Sequence, residues 1–214
     1  MGPGLHPAGR ARALTVAGVN RHAVSVTFPA PAPTVETIVD PTSMLAADVV
    51  QAIYGTAAAG PPLFEDAGVA ARFAGLYAQA RYWPGAVQVV ARLAGEPVGF
   101  GYGHTWAWAA PADPWSLLLA ERLGTAAAVL ESSFALQLLA VLPRAQGLGL
   151  GRLLLDRLLA ATSHRTVWLQ TTDLESPALA LYRSVGFVPL GHGPDAPDGR
   201  PGLVLVRGDL THLG

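Results

Sequence analysis

The sequence predicts a mixed α/β (α+β) domain, and three observations carry that expectation. Hydrophobic residues make up 51% of the 214-residue chain and charged residues only 14%, which supplies one substantial core. Short apolar and β-branched runs suited to strands alternate with stretches of helical period. Gly, Pro and Asp cluster between these stretches, where the chain has to turn. The order reads strand, two helices, hairpin, strand, helix, strand, helix, hairpin, with no internal repeat.

The elements follow in chain order. Residues 1–33 are rich in Pro, Gly, Ala and Arg and end in FPAPAP, which reads as an extended or poorly ordered arm. Residues 34–214 read as a single domain carrying an insertion at about 106–131. Thr34 to Asp40 alternates as a strand does. Helical stretches span about Ser43 to Ala57 and Asp66 to Tyr82, broken by Gly60-Pro61-Pro62. A hairpin follows, with strands from Ala86 to Leu93 and up to Trp106 around the turn Ala94-Gly95-Glu96-Pro97. The tryptophan-bearing insertion holds a short helix near Trp115 to Leu123. Ser133 to Pro143 and Thr166 to Thr172 are apolar enough for buried strands, with a helix from Leu150 to Ala161 between them. Ser176 and Pro177 fit the N-cap and first position of a helix that stops at Gly186. A last hairpin joins Phe187–Leu190 to Leu203–Val206.

Composition excludes several functions. A formal net charge of -1 offers no broad field for nucleic acid or an anionic membrane surface. Every one of the 14 basic residues is arginine, and cysteine is absent, so disulfides, thiolate metal sites and a cysteine nucleophile are ruled out. No metal is expected. The apolar run Ala13 to Val19 is too short for a secretion signal, and His6 stands where myristoylation needs Ser or Thr. No window approaches the ~18 apolar residues of a membrane span. The expectation is a cytoplasmic protein that binds neither membrane nor nucleic acid.

The chemistry concentrates in AQGLGLGRLLLDRLL, Ala145 to Leu159. A P-loop needs a lysine, and the chain has none. The dinucleotide fingerprint fails too, because the sixth residue from Gly147 is Arg152 and from Gly149 is Leu154. What remains is a turn leading into a helix whose free amides and partial positive charge attract a phosphate or pyrophosphate. Gly147, Gly149 and Gly151 permit close approach of a ligand, and Arg144 and Arg152 supply charge. Equally, the glycines fit a tight connection and nothing more.

Two further motifs accompany this stretch. Gln146-Gly147-Leu148-Gly149-Leu150-Gly151 matches Q/R-x-x-G-x-G/A after a strand ending in Val141-x-Pro143. About thirty residues on, Ala178, Tyr182, Gly186 and Phe187 spell A-x-x-x-Y-x-x-x-G-F. Together, from Phe134 to Leu190, these closely resemble the GCN5-related N-acetyltransferase (GNAT) family. The element order from Thr34 to Val206 agrees, whereas residues 1–33 and the insertion lie outside the resemblance. The resemblance implies a mixed, mostly antiparallel central sheet with flanking helices and a splayed strand pair. It implies an N-acyltransferase that moves an acetyl group from acetyl-CoA, or another acyl-CoA, to a primary amine by direct attack. The amides of Gln146, Gly147, Leu148, Gly149, Leu150, Gly151 and Arg152 would then hold the pyrophosphate. The backbone of Leu139, Ala140 and Val141 would pair with the pantetheine arm, an amide near Leu139 would steady the oxyanion, and Tyr182 would act as general acid toward the thiolate. Read from the residues alone, Tyr182 is equally a core aromatic.

The chain departs from the family where many relatives place a basic carboxylate. Phe134-Ala135-Leu136-Gln137-Leu138-Leu139 contains no acid. Glu131 and His104 are the candidate bases, followed by Asp173 and Glu175; water is a further one. Each also has a structural use: Glu131 as a solvated strand-end charge, His104 as a satisfied core histidine, Asp173 and Glu175 as helix N-terminal charges. The missing acid also suits a non-catalytic acyl-CoA-binding or sensing domain. Phe100, Tyr102, Trp106, Trp108 and Trp115 fit packing of the insertion, the wall of an acceptor pocket or a homodimer contact, with packing the commoner use. The expected acceptor is a small-molecule or peptide amine.

Overall fold

The computed structural model describes residues 32–108 and 113–208, so the expected arm lies outside them apart from Ala32 and Pro33. Seven strands build the sheet: β1 (Thr34–Ile38), β2 (Val87–Leu93), β3 (Glu96–Trp106), β4 (Ser133–Val141), β5 (Val167–Thr172), β6 (Val188–Gly193) and β7 (Gly202–Arg207). Their order is β1-β2-β3-β4-β5-β7-β6. All neighbours are antiparallel except β4 and β5. A parallel pair requires a crossover, and α4 (Leu150–Ala161) supplies it. This pair is joined at two register positions alone, Phe134 with Val167 and Ala135 with Trp168. Beyond Ala135 and Trp168 the strands part, which opens the centre of the sheet at their C-terminal ends.

The remaining helices are α1 (Ala47–Ala58), α2 (Ala67–Ala80), α3 (Pro114–Leu123) and α5 (Pro177–Ser184). Local chemistry sets their starts. Asp66 caps α2 by accepting from the amides of Gly68 and Val69 at 2.7 and 3.2 Å. Asp113 caps α3 ahead of Pro114, and Ser176 caps α5 ahead of Pro177. On α4 the buried residues Leu150, Leu154, Leu155 and Leu158 form one apolar stripe.

Side-chain alternation along β3 assigns the layers. A Cβ placed on Gly99 or Gly101 would meet Leu154 or Leu158 of α4, so the odd positions face that helix. Tyr102 instead packs edge-on against Tyr77 of α2, ring centres 5.0 Å apart. The insertion joins this second layer: Trp106 meets Trp115 of α3 at 6.4 Å, and Leu119 and Leu123 lie against Gly193 and Gly191 of β6. Helix α5 lies beside α4, with Leu181 next to Gly151. The sheet thus separates α4 and α5 from α1, α2 and α3.

Two expected boundaries tighten for physical reasons. The hairpin turn is Ala94-Gly95, because both residues take positive φ (52° and 84°), the two-residue geometry that matches strand twist; Glu96 and Pro97 belong to β3. β4 ends at Val141 because Pro143, which has no amide to donate, opens a single 3₁₀ turn over Pro143–Ala145. The insertion's tryptophans pack: Trp106 lies edge-on to Trp108, Trp115 and Trp168.

Candidate active site

The Gly-rich stretch folds into a loop and helix start at the open end of the β4–β5 gap. Gly147 and Gly149 adopt φ of 77° and 74°, a conformation costly to side chains with a Cβ, and the space a Cβ would fill at either is open. Gly149 is the N-cap of α4 and offers no side-chain oxygen to the first turn. The helical ladder begins with the Leu153 amide donating to the Gly149 carbonyl at 3.1 Å, which leaves the amides of Leu150, Gly151 and Arg152 ahead of it. No acidic residue occupies this first turn. Such a cluster of outward amides with room above it fits a pyrophosphate. Gln146 braces the loop, its Nε2 donating to the Val141 carbonyl at 3.1 Å. Arg152 bonds Asp156 at 2.8 Å on the exposed side of α4, and Leu148 is exposed.

β4 presents its backbone to the same gap. The Leu142 amide donates to the Val98 carbonyl at 2.8 Å. Because bonding alternates along an antiparallel ladder, Leu142 and Ala140 bond toward β3, while the amides and carbonyls of Leu139 and Val141 point toward β5. β5 no longer pairs there. The register between β3 and β4 also jumps from Tyr102–Leu138 to Gly103–Leu136, so Gln137 is an unpaired bulge at the point where the strands separate. Apart from the Val141 carbonyl, which Gln146 occupies, the gap therefore offers a strand edge without a β5 partner, suited to an extended, amide-bearing chain.

Tyr182 lies on α5, 6% exposed, with its ring 5.9 Å from that of Phe187. Burial pushes its hydroxyl pKa well above the ordinary tyrosine value, so it stays protonated at neutral pH.

The base candidates lie elsewhere. His104 pairs with Ala135, at the closed end of the β4–β5 pair, and is 2% exposed against the Trp83 ring. Its Nδ1–H donates to the Thr105 carbonyl at 2.8 Å, and burial lowers its pKa. Glu131 precedes β4 at the same closed end, where its carboxylate accepts the Trp108 amide at 2.9 Å and ties the insertion to the strand. Neither is brought to the Leu139–Val141 end, ~13 Å further along the strand from Ala135 at about 3.3 Å per residue. Asp173 and Glu175 do follow the open end of β5 but are engaged, Asp173 with His192 at 2.8 Å and Glu175 with Arg183 at 2.7 Å.

The structure adds a pair that the sequence reading passed over. Tyr54 Oη donates to Glu65 Oε2 at 2.8 Å. Glu65 is half-buried in the connection between α1 and α2, and burial raises its carboxyl pKa, as do the charges of Asp198 and Asp66; the Tyr54 hydrogen bond and Arg72 act in the opposite direction. Eleven residues separate the two in sequence, with GPP between them, so no periodicity links them; the α1–α2 hairpin brings them together.

A family model described as an acetyltransferase (GNAT) domain matches residues 84–189, from just before β2 into β6. A search of curated proteins returns no match. Among solved structures, a GNAT-family protein from Desulfovibrio desulfuricans aligns at 20% identity and a TM-score of 0.53, covering 83% of this chain and 99% of that one. The ribosomal-protein-S18-alanine N-acetyltransferase from Escherichia coli aligns at 17% identity and a TM-score of 0.51, over 83% and 94%. The NatC complex bound to Gag peptide and CoA aligns at 13% and 0.52, over 83% and 98%. At these identities the likeness is one of fold.

Proposed function

Because this chain belongs to the GNAT family of N-acetyltransferases, we propose that it carries the acetyl group of acetyl-CoA to a primary amine of a small molecule or peptide by direct attack. One observation carries the reading: β4 and β5 pair at two positions and then part, opening a gap at whose end the glycine loop begins. The amides of Leu150, Gly151 and Arg152, with the backbone of Gly147 and Gly149, are suited to the pyrophosphate of the co-substrate. The edge of Leu139 and Val141 is suited to its pantetheine amides. A donor at Leu139 would meet the oxygen on which negative charge develops, and dry surroundings strengthen that interaction. Tyr182, kept protonated by burial, is the acid for the departing thiolate.

A peptide or a small amine both suit this reading, and structural neighbours named for an alanine of a ribosomal protein and for a bound peptide support the peptide branch. The test is to incubate the protein with acetyl-CoA and a panel of amines and short peptides, following thiol release. Acceptor-dependent, saturable release is expected, and Tyr182→Phe should lower kcat about a hundredfold while leaving acetyl-CoA affinity nearly unchanged. Binding of acetyl-CoA without release to any acceptor would overturn the transferase reading; absence of binding would overturn the cradle as well.

A further inference from the structure

Gln137 is the one exposed position of β4. Its neighbours Leu136 and Leu138 are 5% and 7% exposed, and the strand lies at the centre of the sheet between α1 on one face and α4 on the other. A polar side chain reaches solvent from such a place only where the layers leave an opening over it. The bulge decides which face that is. A Cβ placed on Gly103 or Gly101 would meet Phe134 or Leu139, so both of these lie on the α4 face. Alternation forward from Phe134 sends Leu136 to the α4 face and Gln137 to the opposite one. Alternation back from Leu139 sends Leu138 there as well, across from Tyr102. Two successive side chains on one face are the mark of the extra residue in a bulge. Gln137 therefore stands on the α1–α2 face, just past Ala135, where β5 has left β4.

Resting on the acetyl-transfer reading above, we propose that Gln137 meets the acceptor, its side-chain carbonyl accepting a hydrogen bond from the attacking amine where β4 and β5 part. A carboxamide orients an amine but takes no proton from it, so the acceptor has to arrive neutral. That selects a weakly basic amine, the α-amine of a peptide, over a lysine or a polyamine. At pH 7 about one α-amine in seven is neutral (pKa roughly 7.8), against about one lysine in 2,500 (pKa roughly 10.4). The groups around the bulge leave this selection to the amine. α1 carries Asp48, which is exposed and lines the outer groove between α1 and α2, and Tyr54, which is bonded to Glu65. β3 brings Tyr102 and His104, both buried, and β5 brings no titratable side chain. The charged residues of α4, Arg152, Asp156 and Arg157, belong to the helix on the other face. In the step itself the nitrogen lone pair forms the C–N bond as the C–S pair leaves on sulfur. Tyr182 gives its proton to that sulfur, and the surplus nitrogen proton restores Tyr182 by way of water. The products are the amide and free thiol, with no net proton released from a neutral amine.

The experiment uses the full chain with acetyl-CoA and two tripeptides. One has a free α-amine and no lysine; the other is blocked at its α-amine and carries a lysine. Acetyl-CoA affinity is measured by calorimetry, and kcat/KM between pH 6 and 10, for the wild type, Gln137→Ala and Gln137→Glu. The wild type should favour the α-amine peptide by at least about thirtyfold at pH 7, the preference shrinking as pH approaches 10 and both amines become neutral. Gln137→Ala should bind acetyl-CoA within twofold of wild type and lose about tenfold in kcat/KM for the α-amine peptide at every pH. Gln137→Glu puts a carboxylate at the same place and should narrow the preference at pH 7 by about tenfold. The position is exposed, so both variants should melt close to the wild type. Equal rates with the two peptides at pH 7, or wild-type kinetics in both variants, overturn the assignment and leave the transferase reading intact. A wild type that acetylates neither peptide overturns this acceptor class, and thiol release to the wider amine panel then decides separately whether the transferase reading stands.

Discussion

At the scale of single residues, identity alone is a poor guide to role. His104 and Glu131 have the chemistry of a base, yet one is buried against Trp83 and the other bonds the Trp108 amide. His104 makes a checkable contribution to stability. Burial holds its folded pKa below the ordinary histidine value near 6.5, so the unfolded chain binds this proton more readily. Its contribution is therefore fully present above that value and is lost as pH falls through it. Urea midpoints should drop between pH 7 and pH 5 in the wild type and drop less in His104→Gln; an identical decline in both would refute the assignment. Glu65 has the opposite sign: a carboxyl raised by burial costs stability once ionised, so its penalty grows as pH rises.

At the scale of elements, the turn into α4 depends on backbone that only glycine adopts cheaply. Gly149 has φ of 74° and open space above it. Gly149→Val would strain the N-cap by roughly 1–2 kcal/mol and place methyl groups where the pyrophosphate is proposed to rest. The expected result is an acetyl-CoA KM raised at least about tenfold, with kcat much less affected. A normal KM in a variant of slightly reduced stability would show that the glycine serves the turn alone. The insertion works as an element too. α3 extends the α1–α2 layer over β5, β7 and β6, fastened by the edge-on contacts of Trp106 and by Arg122, which bonds the Gly193 carbonyl and Asp195.

At the scale of the whole molecule, the sheet is divided by a seam, and a ligand seated there would bridge β4, α4 and β5. Acetyl-CoA at a hundred times its dissociation constant should add about 2.7 kcal/mol of stability. For a chain of this size that corresponds to a rise in Tm of about 5–10 °C, read by calorimetry with and without ligand. No shift at saturating concentration would argue against the seam as the binding place. A non-catalytic sensor, which the acid-free strand also suits, would share this fold, and acceptor-dependent thiol release separates the two. Residues near in sequence made much of this legible: the glycine loop, Tyr182 on its helix, the capping residues Ser176 and Pro177, and the alternation of strands were all readable because backbone conformation and periodicity are local properties. Other features depend on neighbours distant in sequence and emerge only when the chain is folded. The parting of β4 and β5 is a matter of register between strands joined by a crossover, the burial of His104 is set by the Trp83 ring, and the Tyr54–Glu65 pair exists because two helices fold back on each other. The order of residues alone sets the glycine turn and the helix that follows it; packing sets the proton affinity of each carboxylate and histidine, since that depends on surroundings that no single stretch of chain contains.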